Sequence, residues 1–186
     1  MAIFSKYPII DGGAIRFDHS RNLAIFSDID IEGTTVRVFN THLESIGFKD
    51  DDLNVLDSLD FIMSKSQKEG LLNISTKLTR AFNMRSNQAE ALARHIRNSP
   101  YPVIVCGDFN DTPVSYVYQT MRGPLKDAFK ESGSGFGGTY NGRLPSFRID
   151  YIFHAPEFNA YNFETFPIQY SDHNPISTVI DLQPAK

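Results

Sequence analysis

The hydrophobic pattern changes period twice along this 186-residue chain, and that double change restricts the fold more than any other feature. Up to Thr41 the apolar residues fall in short β-branched or aromatic runs, at residues 2–5, 14–17, 22–31 and 34–41, separated by Asp11-Gly12-Gly13, His19-Ser20 and Glu32-Gly33. Such runs predict an antiparallel meander, with Glu32-Gly33 as its clearest hairpin turn. Val36 and Val38 alternate only partly with Arg37 and Phe39, so at least one sheet face is buried. From Asp50 the spacing lengthens: Leu53, Leu56, Leu59 and Ile62 recur at three-residue steps behind a run of aspartates suited to a helix N-terminus. After Gly70, residues 71–98 carry Leu78, Phe82, Ala89, Leu92, Ala93 and Ile96 at near-helical spacing, interrupted around Asn83 and Ser86 and stopping before Pro100. Strands return at residues 103–106, 149–153, 160–166 and 176–182, with a Gly/Ser loop at 132–138. Strands, then helices, then strands predict a single α/β domain over residues 1–186, of packed sheets with helices outside.

Composition removes several function classes. Apolar residues make up 41% and charged residues 22% without low-complexity bias, which excludes disordered and fibrous chains. The strongest apolar run, Pro102 to Cys106, ends at Gly107, far short of the roughly 20 residues of a membrane span. The opening residues have no basic segment, long apolar stretch or small-residue cleavage site, so no signal peptide is expected. The single cysteine, Cys106, excludes an internal disulfide. A net charge of -4 argues against binding polyanions through the overall field, although local basic patches are compatible with it. Lys77, Arg80, Arg85, Arg94 and Arg97 on the long helix form either a solvated face or an electrostatic guide for an anionic ligand.

Polar clusters sit where strands should end: Asn40-Thr41-His42-Leu43-Glu44, Gly107-Asp108-Phe109-Asn110-Asp111 and Ser171-Asp172-His173-Asn174-Pro175. A further aspartate, Asp150, lies within the apolar strand Arg148-Ile149-Asp150-Tyr151-Ile152 and needs a partner there. Taken singly, Asp108 and Asn110 make an ordinary Asx turn and Asp172-His173 a helix cap beside a surface imidazole. Together they supply three carboxylates, one carboxamide and two imidazoles, with no Ser or Cys placed as nucleophile. This set suits metal-assisted phosphoryl hydrolysis: a hard cation takes oxygen ligands, an aspartate aligns water, and imidazoles neutralise phosphate oxygens or protonate a leaving group.

Residues 2–9 (AIFSKYPI), Thr41-His42-Leu43, Gly107-Asp108-Phe109-Asn110, Arg148 to Ile152 and Ser171-Asp172-His173, in that order, resemble the endonuclease/exonuclease/phosphatase superfamily, of which deoxyribonuclease I is a member. The resemblance implies catalytic roles for His42, Asp108, Asn110, Asp150 and His173: His42 beside the scissile phosphate, Asp108 activating water with Asn110 holding it, and Asp150 orienting His173. It implies Mg²⁺ or Mn²⁺ as cofactor, with Asp172 as its main ligand and Asp108 and Asn110 as further metal-binding residues. The implied substrate is a phosphate ester of the nucleic-acid, phospholipid or inositol-phosphate class.

The resemblance also implies a departure. Relatives carry an asparagine strand and a strand with a metal-binding glutamate upstream of the segment matched by Met1, and Glu44 does not match that glutamate. The expected fold is therefore part of a four-layer α/β/β/α sandwich of mostly antiparallel and mixed sheets, lacking its N-terminal strands and helices. The expected consequences are weak cation binding, a catalytically incomplete fragment as the alternative function, and self-association through an exposed sheet edge. Among other residues, His19 and His95 are expected on the surface and His154 in a structural role. Phe109 and Phe136 are candidates to border the pocket, Arg143 to meet a second phosphate, and Arg148 either to do the same or to form a structural ion pair.

Overall fold

The computed structural model describes residues 1–58, 64–143, 145–168 and 170–182. Three antiparallel strands open the fold: β1 (Ile9–Arg16), β2 (Leu23–Ile31) and β3 (Thr34–His42). The β2–β3 turn is the predicted one. Glu32 and Gly33 take φ values of 53° and 91°, the left-handed pair that a two-residue hairpin requires, and the Gly33 N–H donates to Asp30 at 2.9 Å. Two expectations fail here. β1 runs through Asp11-Gly12-Gly13, which was predicted as a turn; Gly13 pairs with Phe26, and a Cβ there would press on the Phe26 ring. Residues 2–5, predicted as a strand, form none and are tied down by the Asn40 amide donating to the Ala2 carbonyl.

Helix α1 (Asp50–Asp57) begins at the predicted aspartates, and Leu53 and Leu56 lie within it; Leu59 and Ile62 lie outside the described residues. Helix α2 (Lys65–Arg97) starts earlier than the sequence suggests and is unbroken at Asn83 and Ser86. Ser64 and Gln67 form a reciprocal capping box that fixes its start, and Gly70 lies inside it because a side chain there would meet Val55 of α1. The chain continues through β4 (Val103–Asp108), α3 (Tyr116–Arg122), β5 (Lys126–Asp127), α4 (Ala128–Ser132), β6 (Asp150–His154), β7 (Asn159–Thr165) and β8 (Ile176–Asp181). The short elements α3, β5 and α4 have no sequence period to betray them; caps from Ser115 and Asp127 start the two helices.

Six strands form one mixed sheet in the order β1-β2-β3-β4-β6-β5, with β3 and β4 parallel, and β7 and β8 form a separate antiparallel pair. Phe39 and Val105 from one sheet face pack with Ala89, Leu92 and Ile96 of α2 and Val117, Tyr118 and Met121 of α3. Val36, Val38 and Ile104 alternate to the other face, where they meet Phe158 and the β8 residue Ile180. The α/β expectation holds as a mixed fold: α2 and α3 pack on one face of the six-stranded sheet, and α4 packs with β7 beside Ile152 of β6. No helix among the described residues is long and apolar enough to cross a membrane.

Candidate active site

Strand register alone assembles half of the site. β3 and β4 place His42 opposite Asp108, and β4 and β6 place Asp108 opposite Asp150, so three polar side chains form one row across three strands. Partners in register project to the same face about 5 Å apart. Gly107 makes the row possible, because a Cβ at that position would overlap the Thr41 carbonyl and its φ of 143° disfavours other residues. Directly after β4, Asn110 turns back with φ 52° so that its own N–H and its side-chain amide both donate to Asp108, at 2.8 and 3.0 Å. The amide also donates to the Leu43 carbonyl at 3.1 Å, and the Asn110 side-chain oxygen accepts no hydrogen bond among the described residues.

His173 joins the row from the loop before β8. Its Nδ1 lies 2.8 Å from the Asp150 carboxylate, and its Nε2 lies 4.0 Å from Asp108. With Nδ1 donating to Asp150, the imidazole presents Nε2 to the centre of the site. His42 Nε2 approaches the same Asp108 oxygen at 3.5 Å and is half exposed. A cavity of about 590 Å³ is lined by all six predicted residues: His42, Asp108, Asn110, Asp150, Asp172 and His173.

The electrostatics follow from this crowding. Burial pushes the Asp108 carboxyl up to about 6, and the neighbouring Asp150 charge adds to it, while the Asn110 N–H and the imidazoles pull the other way. Burial works against the His173 imidazolium, but the charge and hydrogen bond of Asp150, with Asp108 and Asp172 behind it, raise its pKa on balance. Asp108, Asp150 and His173 each offer a ligand atom, all within 4.8 Å of one another. Two hard carboxylate donors beside an imidazole fit a divalent cation. Asp172, predicted as the main ligand, lines the cavity but is outside that convergent set; its Oδ1 accepts the Ser171 hydroxyl at 3.3 Å.

Several neighbouring predictions change. Of the two readings for Arg148 the structural ion pair holds: it is buried, pairs with Asp127 at 2.9 Å, stacks over the Phe129 and Tyr151 rings and does not face the cavity. Arg143 bonds Asn54 and Asp57 of α1 instead of lining the site. Phe109 is fully buried in the core and Phe136 fully exposed; neither borders the cavity, which takes its aromatic wall from Phe48 and Tyr140. His154 is buried between the Ala155 carbonyl and Glu131, the structural role expected. Arg85, predicted on a solvated or guiding face, is 1% exposed and donates to the Glu44 carbonyl and Asp111, bracing the loops that follow β3 and β4.

Sequence reasoning gave too little weight to the loop ahead of β6. The Thr139 hydroxyl accepts the N–H groups of Ile149 and Asp150, both at 3.1 Å, and the Tyr140 ring meets His173 edge-on with centroids 5.5 Å apart. The Gly-rich segment ending at Gly138 was the available signal for that loop.

Solved structures share the fold of this chain. A structure of an endonuclease/exonuclease/phosphatase family protein from Bacteroides thetaiotaomicron is 18% identical with a TM-score of 0.65, covering 95% of this chain and 65% of that one. A Bacteroides vulgatus endonuclease/exonuclease/phosphatase is 21% identical with a TM-score of 0.65, over 96% of this chain and 67% of its own. The mannosyl-6-phosphatase of Bacteroides thetaiotaomicron is 18% identical with a TM-score of 0.56, over 95% and 68%. This chain thus spans about two thirds of the length of each. No curated protein matches its sequence. The profile described as the endonuclease/exonuclease/phosphatase family matches residues 1–173, and the chain belongs to that family.

Proposed function

We propose that this chain hydrolyses phosphate esters, as a phosphodiesterase or nuclease-type activity, by direct in-line attack of water assisted by Mg²⁺ or Mn²⁺. The observation that carries the reading is the cross-strand row His42, Asp108, Asp150 meeting His173 in one cavity. Asp108 aligns the attacking water and takes its proton. Asn110 holds Asp108 in place and offers its carbonyl to the same water. His173, kept protonated by Asp150, stabilises the charge that develops on the phosphoryl oxygens. His42, the more exposed imidazole, protonates the departing oxygen. Asp108 and Asp150, with Asp172 and the Asn110 carbonyl at the margin, would hold the cation, which when bound neutralises phosphate charge and lowers the barrier to attack. Ser45 also lines the cavity, but its hydroxyl accepts the Gly47 N–H and is not paired with an imidazole, in keeping with water as nucleophile.

The test is hydrolysis of bis-p-nitrophenyl phosphate with Mg²⁺ or Mn²⁺. Asp108→Ala and His173→Ala are expected to lose about 10²–10⁴-fold in kcat. Full activity in either variant ends the reading. The position of Asp172 outside the convergent carboxylates favours a second reading, a catalytically incomplete domain. Calorimetric titration with Mg²⁺ separates the two, since tight binding by this chain contradicts the second.

A further inference from the structure

A second cavity, of about 670 Å³, opens between the β1–β2 turn and the middle of α2, on residues that the proposed reaction does not use. Arg16 at the end of β1 and Arg80 and Arg94 on α2 line it together with Gln88. Arg37, Arg85, Arg143 and Arg148 each face a carboxylate. The guanidinium groups of Arg16, Arg80 and Arg94 make no hydrogen bond or ion pair among the described residues. Gln88 is 4% exposed; its Oε1 accepts the Glu44 N–H, while its Nε2 is buried without an acceptor. Two carboxylates share the lining, Asp18 and Glu90, and Glu90 is already bonded to the Tyr116 hydroxyl at 2.8 Å. Three permanent cations therefore outnumber the acids, and each offers the planar donor fork that matches phosphate oxygens.

We propose that this cavity is a second, non-catalytic anion site that takes a linear, multiply phosphorylated ligand. At about 1.5 Å of rise per residue, Arg80 and Arg94 lie roughly 21 Å apart along α2. One phosphate cannot meet both, whereas phosphates spaced along a chain can. A smaller cavity of about 280 Å³, lined by Lys77 and Arg80, adjoins this one at Arg80 and the catalytic cavity at residues 45–47. Lys77 is paired there with Asp52 and Glu44 shares the lining, so the run of unpaired cations ends at Arg80.

Calorimetric titration with tripolyphosphate in EDTA tests the site without turnover, so its outcome is independent of the proposed hydrolysis. The full chain is expected to bind one tripolyphosphate, more tightly than inorganic phosphate, and Arg16→Ala/Arg94→Ala to weaken binding at least tenfold; both residues are exposed, so the variant retains the fold. His42→Ala is expected to bind as the parent chain does. Unchanged binding in the arginine variant, or its loss in His42→Ala, overturns the proposal. A fluorescent octathymidylate displaced by tripolyphosphate assigns the groove to the phosphates of a polymer, and one that is not displaced assigns it to a free oligophosphate.

Discussion

His173 shows how two side chains set each other's chemistry. Its ordinary pKa of 6.5 is opposed by burial and raised on balance by Asp150, so the folded chain holds the imidazolium to higher pH than the unfolded chain does. The stability this contributes is fully present below pH 6.5 and is lost as pH rises through the folded-state value. Asp108 acts in the same direction over a lower window: with its pKa moved from 3.8 to about 6, the folded state retains a proton that the unfolded state releases, and stability falls between those values. NMR titration of the metal-free protein is expected to place His173 above 6.5, and Asp150→Asn to lower it. A His173 pKa that does not respond to Asp150→Asn contradicts the pairing. The six candidate side chains stood out in the sequence because five belong to polar clusters beside apolar strands and the sixth, Asp150, is a charge within an apolar run. The burial of Arg85 was not legible there, and for Arg148 the ion pair was foreseen but its partner was not, since both depend on a distant acid, Asp111 or Asp127, which spacing along the chain does not reveal.

At the level of elements, register between β3 and β4 is what brings His42 to Asp108, and at Gly107 a Cβ would overlap the Thr41 backbone. Gly107→Ala is expected to lower stability by more than the roughly 1 kcal/mol typical of a glycine-to-alanine strain and to reduce hydrolysis together with it, because the strands must separate to admit the methyl group. Urea unfolding and the bis-p-nitrophenyl phosphate assay check this; parent-like values in both contradict the role given to that glycine. The long helix and the Glu32-Gly33 hairpin were readable from period and turn chemistry. The course of β1 was not, because Gly12 and Gly13 resemble a turn locally and become strand only through pairing with β2. The seven residues of α3 and five of α4 are too few to show a period.

The whole molecule buries one face of its six-stranded sheet under α2 and α3, whereas the β7–β8 pair leaves Tyr161 and Val179 about half exposed and, among the described residues, is not extended past β8. We infer that this edge supports self-association, and sedimentation velocity is expected to show a monomer–dimer equilibrium that shifts with concentration. A single monomeric boundary at high concentration counts against it. In the proposed reaction, side chains from four separate parts of the chain act as one unit on one phosphate. Groups that act as a unit are non-additive when removed. The decisive measurement is kcat/KM for Asp108→Asn, His173→Ala and the double variant under the same metal concentration. The double variant is expected to fall no further than the more damaging single change; losses that multiply would show the two groups acting independently.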